Sequence, residues 1–155
     1  MRLEEEIKQG KSFENEYEKL VVNLIYTNSW LSEQQQSTFK PFGITSPQYN
    51  VLRILRGQYP EPCTVNTIID RMLDRMSNAS RIVDRLEVKG LVERKVCKTD
   101  RRAKDVVITQ RGLDLLQEVT DATAQWMKKF QGISTESVEA TNKLLDDFRE
   151  AGSSS

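Results

Sequence analysis

Two groups of side chains in this sequence have the types and spacing to read duplex DNA. The first is Ser77, Asn78, Ser80, Arg81 and Arg85. The second is Asp100, Arg101 and Arg102. An arginine in the major groove can bond O6 and N7 of guanine, and an asparagine can bond N6 and N7 of adenine. An arginine on a slender projection can enter a narrow minor groove, where the negative potential is deepest. Asp100 would hold Arg102 in place through a charge-assisted hydrogen bond. Other uses of the same residues stay open. Ser77 also suits a helix cap and Asn78 a turn. Arg85 can pair with Asp84, Glu87 or a carboxylate elsewhere, and residues 100–102 also suit a solvated hairpin tip.

Such groups need elements to carry them. Residues 77–89 have Ile82, Val83 and Leu86 at helical spacing, with Gly90 as the stop. Residues 91–98 and 104–108 are rich in valine and isoleucine and predict two short strands with the basic tip between them. Upstream, Ser46 as a cap with Pro47 at the first helical position predicts a helix that runs to Gly57. Thr64 predicts a cap for a short helix over 65–73, with Val65, Ile68, Ile69 and Met72 on one face. A helix followed by a basic hairpin is the layout of a winged helix-turn-helix. Outside this lobe, residues 13–39 form a long amphipathic segment ended by Pro41 and Gly43. Thr109 caps a helix through Phe130, and Ser134 starts a last one. The expected fold is mainly α with a small β-hairpin wing. One domain spans 1–150: a DNA-reading lobe at 45–112, dimerisation helices at 13–40 and 113–150, and a disordered tail at 151–155.

Charge is distributed to match. The whole chain is neutral, with 23 basic and 23 acidic residues. Residues 64–112 nevertheless hold 12 Lys or Arg against 7 Asp or Glu, a net +5, so the rest carries −5. A basic middle between acidic ends fits a DNA-binding lobe on a separate scaffold. Histidine is absent, which excludes Ser-His-Asp and Cys-His catalysis and histidine metal sites. Cys63 and Cys97 lack zinc or disulfide-framework spacing, and the glycines form no phosphate loop. No enzyme, cofactor or metal is expected. Without an apolar membrane span or a signal-peptide core, a cytoplasmic location is expected.

Three stretches in order carry a family resemblance. Ile44 to Leu52 reads ITSPQYNVL, Val83 to Arg94 reads VDRLEVKGLVER, and Asp100-Arg101-Arg102 is followed by Val106, Ile108, Thr109 and Gly112. Together they resemble the MarR (multiple antibiotic resistance regulator) family, with Ile108 where the family pattern has leucine. The resemblance covers about 45–112. It implies a homodimeric winged-helix regulator, expected to act as a repressor on pseudo-palindromic duplex DNA. Many such regulators release DNA when a small aromatic or phenolic acid binds between the two lobes. Others sense oxidants through a cysteine near the start of the first helix, or metals through histidine, and this chain has neither.

Tyr26, Trp30, Phe39, Phe42, Trp126 and Phe130 are the aromatics suited to line an effector pocket, with Tyr26, Trp30 and Trp126 as the effector-binding candidates; the same aromatics also suit core or dimer interface. Cys63 and Cys97 are either redox-active or small buried apolar residues. The competing function is a winged-helix module that binds protein instead of DNA. The arginine-bearing wing and the positive lobe favour DNA.

Overall fold

The computed structural model describes residues 2–96 and 104–153. These fall into two compact units, Met1–Val119 and Thr120–Ser155. In the first unit a short helix α1 (Leu3–Glu6) precedes the long α2 (Glu16–Phe39) and a 3-10 turn (Lys40–Phe42). Helices α3 (Ser46–Arg56), α4 (Val65–Arg71) and α5 (Ala79–Val88) follow, then strands β1 (Val92–Val96) and β2 (Lys104–Ile108). Helix α6 (Gln110–Met127) begins in this unit. The second unit holds the 3-10 turn Lys128–Phe130 and α7 (Thr135–Ser153). The fold is mainly helical with one hairpin, as the periodicities predict. No described helix is long and apolar enough to cross a membrane.

One core holds the lobe together. Val51, Leu52 and Leu55 of α3, Ile68 of α4, Val83 and Leu86 of α5, Val106 and Ile108 of β2, and Leu116 and Val119 of α6 are all buried in it. Helix α3 contributes most because its apolar residues lie at three- and four-residue steps along one side. Its start differs from the expectation. Thr45 is the N-cap rather than Ser46: its hydroxyl accepts the Gln48 N–H (3.4 Å), and Gln48 Oε1 accepts the Thr45 N–H (3.2 Å). Only a residue three before a glutamine can close this reciprocal box. Ser46 and Pro47 are pushed one place into the first turn, where proline's missing N–H still costs nothing. In α4 the Thr64 cap holds, with the Thr67 N–H donating to its hydroxyl (3.1 Å). The expected four-residue apolar face is narrower: Ile68 and Met72 are buried, whereas Ile69 is 44% exposed.

The hairpin is antiparallel, with Val92 opposite Ile108 and Arg94 opposite Val106. Cys63 adds a one-residue third strand: its N–H donates to the Val106 carbonyl and its carbonyl accepts the Val106 N–H, both at 2.8 Å. This ties the base of the wing to the α3–α4 connection. Cys63 is buried, and burial pushes its thiol pKa up, which disfavours the reactive thiolate. Of the two readings of Cys63, small buried apolar residue fits this setting. Cys97 lies outside the described residues.

A latch joins the hairpin to α6. The Thr109 N–H donates to the Leu91 carbonyl (3.1 Å), and the Thr109 hydroxyl donates to the Gly90 carbonyl (2.8 Å) while accepting the Gly112 N–H (3.1 Å). Gly90 takes the left-handed conformation with φ 69°, as a helix-ending glycine does.

The long helices bury little. Phe39 is the one buried residue of α2, and α7 has none. Along α2, Tyr17, Val21, Ile25 and Trp30 are exposed, and along α7 so are Val138, Leu144 and Phe148. Asn15 caps α2, accepting the Tyr17 and Glu18 N–H groups, so that helix starts three residues later than its apolar pattern indicates. The Ser134 hydroxyl accepts the Ser137 N–H at the start of α7 (3.2 Å). The tail also differs from expectation: Ala151, Gly152 and Ser153 continue α7, with the Ser153 hydroxyl donating to the Arg149 carbonyl (2.8 Å).

Candidate nucleic-acid interface

Helix α5 presents two faces. Ala79, Val83 and Leu86 are buried in the core. Ser80, Arg81, Arg85 and Val88 are exposed, and Arg81, Arg85 and Val88 follow at four- and three-residue steps along one side. Neither Arg81 nor Arg85 forms an ion pair among the described residues. Asp84 and Glu87, the carboxylates nearest Arg85 in sequence, are taken by another residue.

The start of α5 corrects the expected cap. Asn78, not Ser77, is the N-cap, and its Oδ1 accepts the Arg81 N–H (3.0 Å). Ser77 instead donates its hydroxyl to Asp74 Oδ2 (2.6 Å), while Asp74 Oδ1 accepts the Met76 N–H (3.0 Å). Asp74 can reach both groups because an aspartate side chain spans two residues of backbone in such turns. The Ser77 hydroxyl, then the Met76 N–H, hold the Asp74 carboxyl below the usual carboxylate range. The turn is therefore locked above the unfolded carboxyl pKa and released as pH falls through the lower folded value. At the other end of the loop, Asn50 Oδ1 of α3 accepts the Leu73 N–H (2.9 Å). Ser77 and Asn78 thus spend side-chain oxygens on setting the entry angle of α5, which leaves Ser80, Arg81 and Arg85 as the outward groups.

Asp84 and Glu87 meet Arg94 of β1. Its Nη1 donates to Glu87 Oε2 (2.5 Å) and its Nη2 to Asp84 Oδ1. This fork fastens the wing's first strand to α5 and was not singled out from the sequence, because the partners lie seven and ten residues away. Arg94→Gln is expected to cost about 1 kcal/mol of stability, since the carboxylates are half-exposed and water screens them. Urea denaturation at low and high salt checks this, and a parent-like midpoint at both would show that the fork contributes nothing. Asp100, Arg101 and Arg102, the tip, lie outside the described residues.

Of the effector candidates, Tyr26 and Trp30 stand one turn apart on α2. Tyr26 is half-buried and Trp30 40% exposed, both on α2. Trp126 of the second unit packs edge-on against Phe130 with centroids 5.0 Å apart. A cleft of about 330 Å³ in the first unit is lined by Phe42 together with Lys89, Leu91, Arg111, Asp114, Leu115 and Glu118. Of its lining only Phe42 is legible in the sequence as a pocket aromatic, because the walls come from three separate segments. Lys89 at its edge donates from Nζ to the Gly43 carbonyl (2.6 Å) and to Gln48 Oε1 (3.0 Å), which joins the end of α5 to the α2–α3 junction.

Residues 42–103, covering α3 to the wing, match the model of the MarR family. Over these residues the chain is similar to the MarR family. The arrangement of helices and hairpin is that of a winged helix. The HTH-type transcriptional regulator PrsX of Escherichia coli is 29% identical over 151 residues, 92% of this chain and 91% of its own. An organohalide-sensing transcriptional regulator in its 2,4-dichlorophenol-bound form shares the fold with a TM-score of 0.79. It is 16% identical, covering 92% of this chain and 87% of its own. BpsR of Bordetella bronchiseptica, whose DNA binding is regulated by 6-hydroxynicotinic acid, superposes with a TM-score of 0.72. It is 22% identical, over 94% of this chain and all of its own.

Proposed function

We propose that this protein is a DNA-binding transcriptional regulator, a cytoplasmic homodimeric repressor. It binds a pseudo-palindromic duplex site and lets go when a small aromatic or phenolic acid binds. The observation that carries the DNA reading is the outward face of α5. Ser80, Arg81 and Arg85 stand exposed on a helix whose buried side, cap and preceding turn are all fixed. Ordered cations without carboxylate partners are what phosphates and guanine edges recruit. The dimer reading rests on α2 and α7, where Tyr17, Val21, Ile25 and Trp30 of the one and Val138, Leu144 and Phe148 of the other stay exposed. Two copies would set two α5 helices on half-sites about one turn, roughly 10 base pairs, apart. A dimer spanning a full turn occludes that face of a promoter, which supports repression. The effector class is the one met by two relatives of the same fold. The Lys89–Arg111 cleft offers it cations beside Phe42 and Leu115.

Selection of bound sequences from a random duplex pool, followed by sedimentation of the protein alone and with the selected site, tests this. A two-fold related site and a dimer are expected, and a stable monomer at micromolar concentration would sink the dimer. Transcription from a promoter carrying the site should fall when protein is added and recover with the acid.

Wing and helix are separable on that site. Arg102→Ala is expected to weaken binding by about 1–3 kcal/mol at unchanged fold and dimer, as loss of a minor-groove arginine does. Asp100→Ala should lose less, because it only orients Arg102. Arg81→Ala should change which sequences are preferred. Titrations against the site and its single-base variants check all three. If Arg102→Ala binds like the parent, the wing assignment fails. A uniform loss on every sequence for Arg81→Ala would make Arg81 a phosphate contact.

A further inference from the structure

The loop between α4 and α5 exposes an apolar side chain on a fixed backbone. Met76 is 94% exposed, yet its N–H is held by Asp74 Oδ1 at 3.0 Å and its neighbour Ser77 is bonded to the same carboxylate. An uncovered methionine on an ordered turn is waiting for a surface, because its thioether chain gains only by leaving water. Its position indicates which surface. Met76 lies two residues before the N-cap of α5, so it is continuous with the start of the helix that carries Ser80 and Arg81. Arg75 beside it and Arg81 beyond it are exposed cations, which would repel a basic partner and attract phosphates on either side. The one apolar group that duplex DNA displays in the major groove is the thymine C5-methyl.

We propose that Met76 is a specificity-determining residue that packs on a thymine methyl in each half-site and so selects thymine over cytosine there. The proposal rests on the reading of α5 as the major-groove helix. It differs in kind from the arginine contacts: hydrogen-bonding side chains read donor and acceptor patterns, whereas Met76 reads a methyl group and is indifferent to the base's hydrogen-bonding edge.

Replacing thymine by deoxyuridine removes that methyl and nothing else, which makes the contact directly testable. The duplex used is the site selected by the parent protein, with deoxyuridine placed at one thymine at a time. In the parent, one thymine position per half-site should lose about fourfold in affinity, the loss expected for one methyl group returned to water. In Met76→Ala and Met76→Gln that sensitivity should vanish at that position while the other thymines behave as before. Met76→Leu should retain it. Since the side chain packs on nothing in the lobe, the variants should melt like the parent, and melting curves check this. If Met76→Ala keeps the parent's full deoxyuridine profile, or the parent has no sensitive thymine, the proposal is overturned while the DNA-binding reading stands. If the parent selects no sequence at all from the pool, both are overturned together.

Discussion

Gly112→Ala is expected to unfold the lobe or leave it barely stable. A Cβ at this position would lie 2.1 Å from the Leu91 carbonyl oxygen and 2.7 Å from Cγ1 of Ile108. The first of these is backbone, and that carbonyl already accepts the Thr109 N–H. It cannot retreat without breaking the latch that joins the hairpin to α6. Overpacking of a core typically costs about 1–3 kcal/mol, and a clash with fixed backbone belongs at or above the top of that range. A loss of about 3 kcal/mol or more is a large fraction of a small domain's stability. Thermal or urea unfolding of the variant measures it, and a midpoint within error of the parent would show that the close approach of α6 to Leu91 is wrong. DNA binding should disappear with the fold, since the same contact holds α6 against the start of the hairpin.

The second large effect is on affinity rather than stability. Residues 64–112 carry a net +5, and a dimer doubles it. If roughly six phosphates are neutralised, affinity for the selected site should drop about 10³-fold or more on a fourfold rise in salt, because each contact releases condensed counterions. Fluorescence anisotropy at a series of salt concentrations gives the slope. A flat response would favour a winged-helix module that binds protein. Arg102→Ala and Arg81→Ala each lower the slope by about one if they remove a phosphate contact, and leave it nearer the parent's if their contact is to a base.

Much of this architecture is legible in the sequence for local reasons. The three-and-four spacing of Ile82, Val83 and Leu86 makes α5 a helix wherever it sits, since periodicity needs no knowledge of the partner surface. Valine and isoleucine on either side of a polar tip make the hairpin. Thr64, Thr109 and Ser134 cap helices as expected, because a cap bonds N–H groups only two or three residues away. The basic segment stands out for the same reason: charge is a property of composition.

What the sequence left open is what depends on competition or on distance. Ser77 and Asn78 are both good caps, and the choice fell to Asn78 because Asp74 captured the Ser77 hydroxyl. Ser46 lost to Thr45 because the glutamine that closes the box stands three residues after threonine. Arg85 had two acidic neighbours on paper, but Arg94 reached both from the adjoining strand, and only the folded pairing of β1 with α5 brings it there. Cys63 joins the sheet through one residue, too short for any alternation to reveal. The sequence by itself determined the elements, their order and the basic lobe, since those follow from contacts a few residues apart. Tertiary structure decided which polar groups are spent inside the lobe and which stay outward, because each side chain's bonds are taken by whichever neighbour the packing brings nearest.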